Sequence, residues 1–299
     1  MSCMFRYDRD SVCAVIVSYN GKSTIAETVG ALKDQVGHLL IVDNASDEAT
    51  KEELRLLQQG GIAVLYNETN RGVASALNQG IDYARSKDAA WLLTFDQDSV
   101  AAPGMVERLL SCAQEHRSDT SFLLVSPAVI DRRFPHGSTP AEKKHEYRYT
   151  AITSGNLVPL EVYDRVGAYN DRLFIDSVDF DFSLRIREEG GKILRCCEAE
   201  LFHALGNMKE VRLLGLTFRL TVHSPFRKYF IMRNHIYLLK RFFFSFPLYC
   251  LRKQLDICNL VFQTILFEDN KRTNLRRLWT GFLDGIAGNF DNTGSITGA

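Results

Sequence analysis

"WLLTFDQDS", residues 91–99, is apolar as far as Phe95 and then sets two carboxylates, Asp96 and Asp98, two positions apart. A short uncharged run of this kind predicts a strand buried on both faces. The same pattern precedes it three times: Val12–Val17 leads into Ser18-Tyr19-Asn20, Leu39–Val42 into Asp43-Asn44-Ala45-Ser46, and Ile62–Tyr66 into Asn67-Glu68. Helical periodicity fills the intervals, over about 23–35, 48–59 and 73–86. Apolar strands alternating with helices predict an α/β fold with a mostly parallel, Rossmann-like sheet covered on both faces. In such sheets ligands bind beyond the carboxyl ends of the strands. Four polar strand ends then converge on one crevice.

Taken singly, Asp43-Asn44-Ala45-Ser46 and Ser18-Tyr19-Asn20-Gly21 are also good turn and helix-capping chemistry. Asp96 and Asp98 are harder to explain that way. In extended backbone both side chains point to one side, and like charges that close repel unless a cation or ligand donors lie between them. Hard ions such as Mg²⁺ or Mn²⁺ prefer carboxylate oxygen and bridge to substrate phosphates. The pair is therefore expected to hold a metal–diphosphate group.

Composition narrows the classes. At 299 residues, with 45% hydrophobic and 24% charged, the chain has enough apolar mass for a large core. Lys+Arg and Asp+Glu balance at 36 each, so no global charge recruits nucleic acid. The seven cysteines, Cys3, Cys13, Cys112, Cys196, Cys197, Cys250 and Cys258, are odd in number and contain no Cys-x-x-Cys pair. That spacing predicts reduced thiols in the cytoplasm and no zinc site. Charge appears too early for a signal peptide, and no uncharged apolar run of about 18 residues follows. The Asn-x-Ser/Thr matches at Asn44 and Asn67 are then chance. No Gly-x-Gly-x-x-Gly follows the first strand, and Gly21-Lys22-Ser23 lacks the upstream glycine of a phosphate-binding loop, which argues against dehydrogenases and P-loop ATPases.

Together "VCAVIVSYNG", "LLIVDNAS", "NETNRGVASALNQGI", "WLLTFDQDS", "TSGNLVP" and "LFIDSVDFDFSLRIREEGGKI", in that order over about residues 11–235, resemble a family 2 glycosyltransferase of the GT-A fold. Within that family, Phe-Asp-Gln-Asp-Ser and "FIDSVDFDF" are similar to bacterial rhamnosyltransferases that use dTDP-L-rhamnose to build O-antigen and other surface polysaccharides. The resemblance implies that Ser18, Tyr19 and Asn20 lie along the nucleotide, that Asp43 receives base or ribose, and that Asn70, Arg71, Gly72 and Asn78 line the pocket. It puts Asp96 near the ribose, Asp98 on the metal, His203 on the metal or diphosphate, and Ser154, Gly155 and Asn156 on the acceptor side; the other readings are a structural histidine at His203 and plain turn chemistry at Gly155. Gln97, between the two acids, supports no inference.

Inverting transfer needs one carboxylate to take the acceptor's proton, and Asp176, Asp179 and Asp181 are the candidates. On a helix ending at Gly190-Gly191, Asp176 and Asp179 would share a face, with Asp181 turned away. Their simpler role is to favour a helix N-terminus. The family pattern puts the base on Asp179.

The stretch 209–285 interleaves Arg227, Lys228, Arg233, Lys240, Arg241, Arg252 and Lys253 with aromatic and aliphatic residues at helical spacing. No nucleic-acid reader motif accompanies it. It predicts helices lying on an anionic membrane surface, with a homo-oligomer interface as the other reading. Arg233 is also placed by resemblance near the donor diphosphate. The expected organisation is a GT-A catalytic domain over 1–208, with a donor half about 11–100 and an acceptor half about 101–208, and a helical extension over 209–299 with a frayed tail from Asn289. The expected activity is rhamnosyl transfer from dTDP-β-L-rhamnose to a polyprenyl-diphosphate-linked or oligosaccharide acceptor at the inner face of the bacterial cell membrane. The alternatives are a UDP-hexose donor or a non-catalytic GT-A-like scaffold. A nucleotidyltransferase would want a glycine-rich basic loop where Ser18-Tyr19-Asn20-Gly21 stands.

Overall fold

A computed structural model describes residues 6–118, 123–133, 143–203, 207–213 and 216–290. The tail expected to fray lies outside these residues beyond Phe290, as do Cys3 and His136. The chain separates into two compact units, one formed by Met1–Asp171 with Val178–Ala204, the other by Arg172–Ser177 with Leu205–Ala299.

The first unit is built on the expected alternation. Strands β1 (Val12–Ser18), β2 (His38–Asp43), β3 (Ala63–Tyr66) and β4 (Trp91–Asp96) pair in parallel in the order β3-β2-β1-β4. Helices α1 (Ile25–Leu32), α2 (Glu48–Gln59) and α3 (Gly72–Ser86) supply the crossovers. β1 is buried along its whole length, which is why its sequence is continuous rather than alternating. Gly80 lets α3 lie against it, because a Cβ there would stand 2.6 Å from a Val15 methyl.

Beyond β4 the sheet becomes mixed. Two-residue β5 (Val100–Ala101), β6 (Leu123–Asp131), β7 (His145–Arg148), β8 (Leu157–Pro159) and β9 (Lys192–His203) follow, with α4 (Met105–Glu115), α5 (Leu160–Val166) and α6 (Val178–Glu188) among them. β8 inserts antiparallel between β4 and β6, while β6 and β9 run parallel. A large apolar cluster that includes Ile16, Phe95, Leu109 and Leu157 forms the core on one face.

The second unit opens with an antiparallel hairpin, β10 (Asn207–Leu213) and β11 (Leu216–Val222), where the extension was expected to be helical. Leu216-Thr-Phe-Arg-Leu-Thr-Val222 alternates apolar and polar residues, a period-two signal that decides for strand. Helices α7 (Pro225–Phe242), α8 (Pro247–Phe267) and α9 (Lys271–Ala287) follow. Two of the expected surface cations are internal: Lys228 and Arg233 are fully buried. Arg227 is ion-paired with Asp176 at 3.0 Å. Elsewhere the exposed residues interleave cations with apolar side chains, Lys240, Arg241 and Arg252 standing exposed beside Phe244, Leu248, Leu255, Phe262 and Trp279. Among the described residues no helix is long and apolar enough to cross a membrane.

Candidate active site

Pairing register levels the strand ends: Ser18 on β1 stands opposite Asp43 on β2, and Val17 opposite Asp96 on β4. The loops beyond are fastened to one another. Asn20 donates its N–H to Ser46 Oγ at 2.9 Å and accepts the Asp47 N–H on its Oδ1 at 2.9 Å. Asn20 and Ala45 both have positive φ, 52° and 62°. For Ala45 that conformation costs about 1–2 kcal/mol, and such strain persists where surrounding contacts over-determine it.

Three buried polar atoms at these ends, Ser18 Oγ, Asp43 Oδ1 and Asn156 Oδ1, have no hydrogen-bond partner among the described residues. Each such atom costs about 1–3 kcal/mol when left unsatisfied. Asp43 is fully buried, yet only its Oδ2 is engaged, by the Ser46 N–H at 3.2 Å. A polar ligand seated over β1 and β2 would complete Ser18 and Asp43.

The Asn70–Gly72 turn is braced from β2's end: Asn44 Nδ2 donates to the Gly72 carbonyl at 2.9 Å, and Asn70 Oδ1 accepts the Gly72 N–H at 2.9 Å. Arg71 is left exposed. Asn78, expected to line the pocket, ties α3 to the segment before α6. Its amide donates to the Tyr169 carbonyl and accepts the Tyr169 N–H, both at 2.9 Å, and also donates to Asp171.

At β4 the strand ends at Asp96 and the chain turns, so Asp98 reaches the site from a turn rather than from extended backbone. The acids nonetheless converge: ligand atoms of Asp96, Asp98 and His203 lie within 4.8 Å of one another. His203, the last residue of β9, puts Nδ1 3.5 Å from Asp98 Oδ1. Two carboxylates and an imidazole, all partly exposed, suit a hard divalent ion that keeps waters and takes phosphate oxygens. A hydrogen-bonded chain extends from this group to the acceptor-side turn. The Asp96 N–H donates to Ser154 Oγ at 3.1 Å, Ser154 Oγ donates to Ser99 Oγ at 2.7 Å, and Ser99 shares a 2.9 Å bond with His203 Nδ1. Gly155 forms the turn with φ 86°, and its N–H donates to the Thr94 carbonyl at 2.7 Å. Ser99 and Gln97 were missed by sequence reasoning. Gln97 holds both backbone groups of Tyr19.

The three acids before and within α6 part company. Asp176 and Ser177 have φ of 63° and 65°, and the helix begins only at Val178. Asp176 therefore lies outside the helix, not on a face shared with Asp179, and it is clasped by Arg227. Asp181 is fully buried and accepts from Arg185 Nε at 2.8 Å, one helical turn away. Asp179 is half-buried in the first turn, its Oδ1 accepting the Phe180 N–H at 2.9 Å. Arg233, expected at the diphosphate, makes these contacts within the helical unit: Nη2 donates to the Arg172 carbonyl at 2.9 Å and Nε to Asn234 Oδ1 at 3.0 Å, while its guanidinium packs on Phe230. It anchors the segment from Arg172, while its buried Nη1 has no hydrogen-bond partner among the described residues.

The family model "Glycosyl transferase family 2" matches residues 13–168. The dTDP-rhamnosyl transferase RfbF of Shigella flexneri is 28% identical over 93% of this chain and 96% of its own length. The UDP-Glc:alpha-D-GlcNAc-diphosphoundecaprenol beta-1,3-glucosyltransferase WfgD of Escherichia coli is 25% identical over 46% of this chain and 53% of its own. Among solved structures, S. aureus TarS 1–349 in complex with UDP-GlcNAc superposes with a TM-score of 0.58 at 13% identity, over 95% of this chain and 90% of that one. GalNAc-T7 with UDP, GalNAc and Mn²⁺ gives a TM-score of 0.58 at 16% identity, over 95% of this chain, which spans 57% of that protein. The α/β fold with its mostly parallel sheet and C-terminal helices is the GT-A arrangement of these neighbours.

Proposed function

The chain belongs to glycosyl transferase family 2, and from that premise we propose that this glycosyltransferase moves L-rhamnose from dTDP-β-L-rhamnose to a lipid-linked glycan with inversion. The observation that carries the donor assignment is the end-to-end likeness to RfbF. In this reading the unsatisfied atoms of Ser18 and Asp43 receive the nucleoside, with Tyr19, Asn20, Asn70, Arg71 and Gly72 along its rim and Asp96 toward the ribose. Asp98 and His203 would hold Mg²⁺ or Mn²⁺, whose chemistry when bound is to neutralise diphosphate charge. Ser154, Gly155 and Asn156 border the acceptor.

The reaction is a direct displacement. Asp179 takes the proton of the acceptor hydroxyl, the oxygen forms its bond to the anomeric carbon, and the bond from that carbon to the diphosphate oxygen breaks with its electron pair leaving on dTDP. A β-linked donor then gives an α-linked product. Asp179 is partly exposed in the first turn of α6, at the position where the family pattern puts the base. Residues 1–208 form the catalytic domain in this account. The exposed apolar side chains of α8 and α9 support peripheral association of 209–299 with the inner membrane face.

Transfer of label tests the proposal. The protein is incubated with radiolabelled dTDP-rhamnose, or with radiolabelled UDP-hexoses, and polyprenyl-diphosphate glycans extracted from bacterial membranes. Label from dTDP-rhamnose alone in the lipid fraction supports it; label only from a UDP-hexose removes the rhamnose assignment.

A further inference from the structure

A second group of metal-ligating side chains sits away from the strand-end crevice, where α4 meets β7 and β9. Cys112 near the end of α4 and Cys196 on β9 are both 1% exposed. His145 opens β7 and stands opposite Cys196 in the antiparallel register. Ligand atoms of Cys112, Cys196 and His145 all lie within 4.8 Å of one another.

Buried cysteines are ordinarily small apolar residues packed among aliphatics. Here the two sulfurs and an imidazole are gathered at one place, with Cys196 Sγ 3.8 Å from the Arg108 carbonyl. The imidazole is held from behind. His116, the residue capping α4, places Nε2 2.9 Å from His145 Nδ1 with the rings edge-on, and Glu115 Oε2 lies 3.7 Å from His145 Nε2. An outer partner on a ring nitrogen is how proteins orient a metal-bound histidine. A polar cavity of about 400 Å³, lined by Ser111, Glu115, Lys144 and Glu198 as well as by Cys112 and His145, opens onto the group.

We propose that Cys112, Cys196 and His145 bind Zn²⁺, with His116 orienting His145 and a fourth ligand, water or the Glu115 carboxylate, supplied from the cavity. Soft thiolates with imidazole select zinc, whereas the carboxylates of Asp96 and Asp98 suit Mg²⁺ or Mn²⁺. Binding displaces the two thiol protons to solvent, and the bound ion ties the end of α4 to β7 and β9. The residues are 33, 51 and 84 positions apart in the chain, which is why Cys-x-x-Cys spacing gives no hint of them.

The test uses the full chain carrying a tag free of histidine. The protein as isolated should hold stoichiometric zinc that survives dialysis against a weak chelator. After removal with a strong chelator, added Co²⁺ should give thiolate-to-cobalt charge-transfer bands. Cys112→Ser/Cys196→Ser and His145→Gln should lose the zinc, and His116→Gln should weaken it by about 10–100-fold. Asp98→Ala should keep it. His145→Gln, at a partly exposed side chain, serves where the thiol variant fails to fold. Metal-free protein showing no cobalt bands overturns the proposal, as does protein isolated with a Cys112–Cys196 disulfide.

Discussion

The side-chain amide of Gln97 pairs with both backbone groups of Tyr19: Oε1 accepts the Tyr19 N–H at 2.8 Å and Nε2 donates to the Tyr19 carbonyl at 3.0 Å. One residue between two acids thus locks the loop after β1 to the turn after β4. Gly21 lies under this clasp, since a Cβ there would stand 2.2 Å from Gln97 Oε1.

Gln97→Glu keeps the shape but turns the carboxylate on the Tyr19 carbonyl, and Gly21→Ala pushes the amide out. Both should raise the KM for the nucleotide sugar about tenfold, the equivalent of about 1.4 kcal/mol, with a smaller effect on kcat. Steady-state kinetics read the split. Unchanged KM in both variants would make the clasp irrelevant to donor binding.

Binding and turnover should separate at the acids. Asp98→Ala and His203→Ala are expected to abolish the metal-dependent part of dTDP affinity measured by calorimetry. Asp179→Asn should leave that affinity within about threefold and lower kcat by about 10²–10⁴-fold, the usual contribution of a general base. Near-normal transfer by Asp179→Asn would remove it from the mechanism.

The strand ends were legible because buried strands and their polar termini are local patterns: Ser18, Asp43, Asp96 and Asp98 all stand at carboxyl ends or the turn just beyond. What was not legible depends on partners distant in sequence. Gln97 was silent until Tyr19 came beside it. Asp176 looked helical by spacing, but its φ of 63° and its pairing with Arg227 take it out of the helix. Lys228 and Arg233 looked like surface cations because helical period marks a face without saying which neighbours cover it. The hairpin of β10 and β11 was the exception, a local alternation overshadowed by the basic helices after it.

Lys228 and Glu268 form an ion pair at 0% and 6% side-chain exposure, completed by Thr264 on the ammonium and Asn274 on the carboxylate. Removing one partner leaves the other charge buried and unpaired, so Glu268→Ala should cost about 3–5 kcal/mol in reversible unfolding. The Lys228→Met/Glu268→Leu double variant should recover most of that loss. A cost below about 1 kcal/mol for the single change would show that water reaches the ammonium.

His235 is buried against Gln254, at 3.0 Å from its Oε1, and burial holds its imidazole below the ordinary value of 6.5. The unfolded chain therefore gains this proton as pH falls through 6.5 while the folded chain resists it. Stability should be full above that range, decline as pH drops below it, and level off below the folded value. His235→Gln should flatten this part of the urea-unfolding profile between neutral pH and about pH 5; an unaltered slope would assign the pH dependence elsewhere.

The donor is the centre of the account, and thermal stabilisation of the purified protein tests it most directly, because a ligand that binds only the folded state must raise the melting temperature. dTDP-rhamnose, UDP-glucose, UDP-galactose and UDP-GlcNAc are compared with and without Mn²⁺. The account predicts a metal-dependent rise with dTDP-rhamnose that exceeds every UDP sugar and disappears in Asp98→Ala; a rise with UDP sugars and none with dTDP-rhamnose would contradict it.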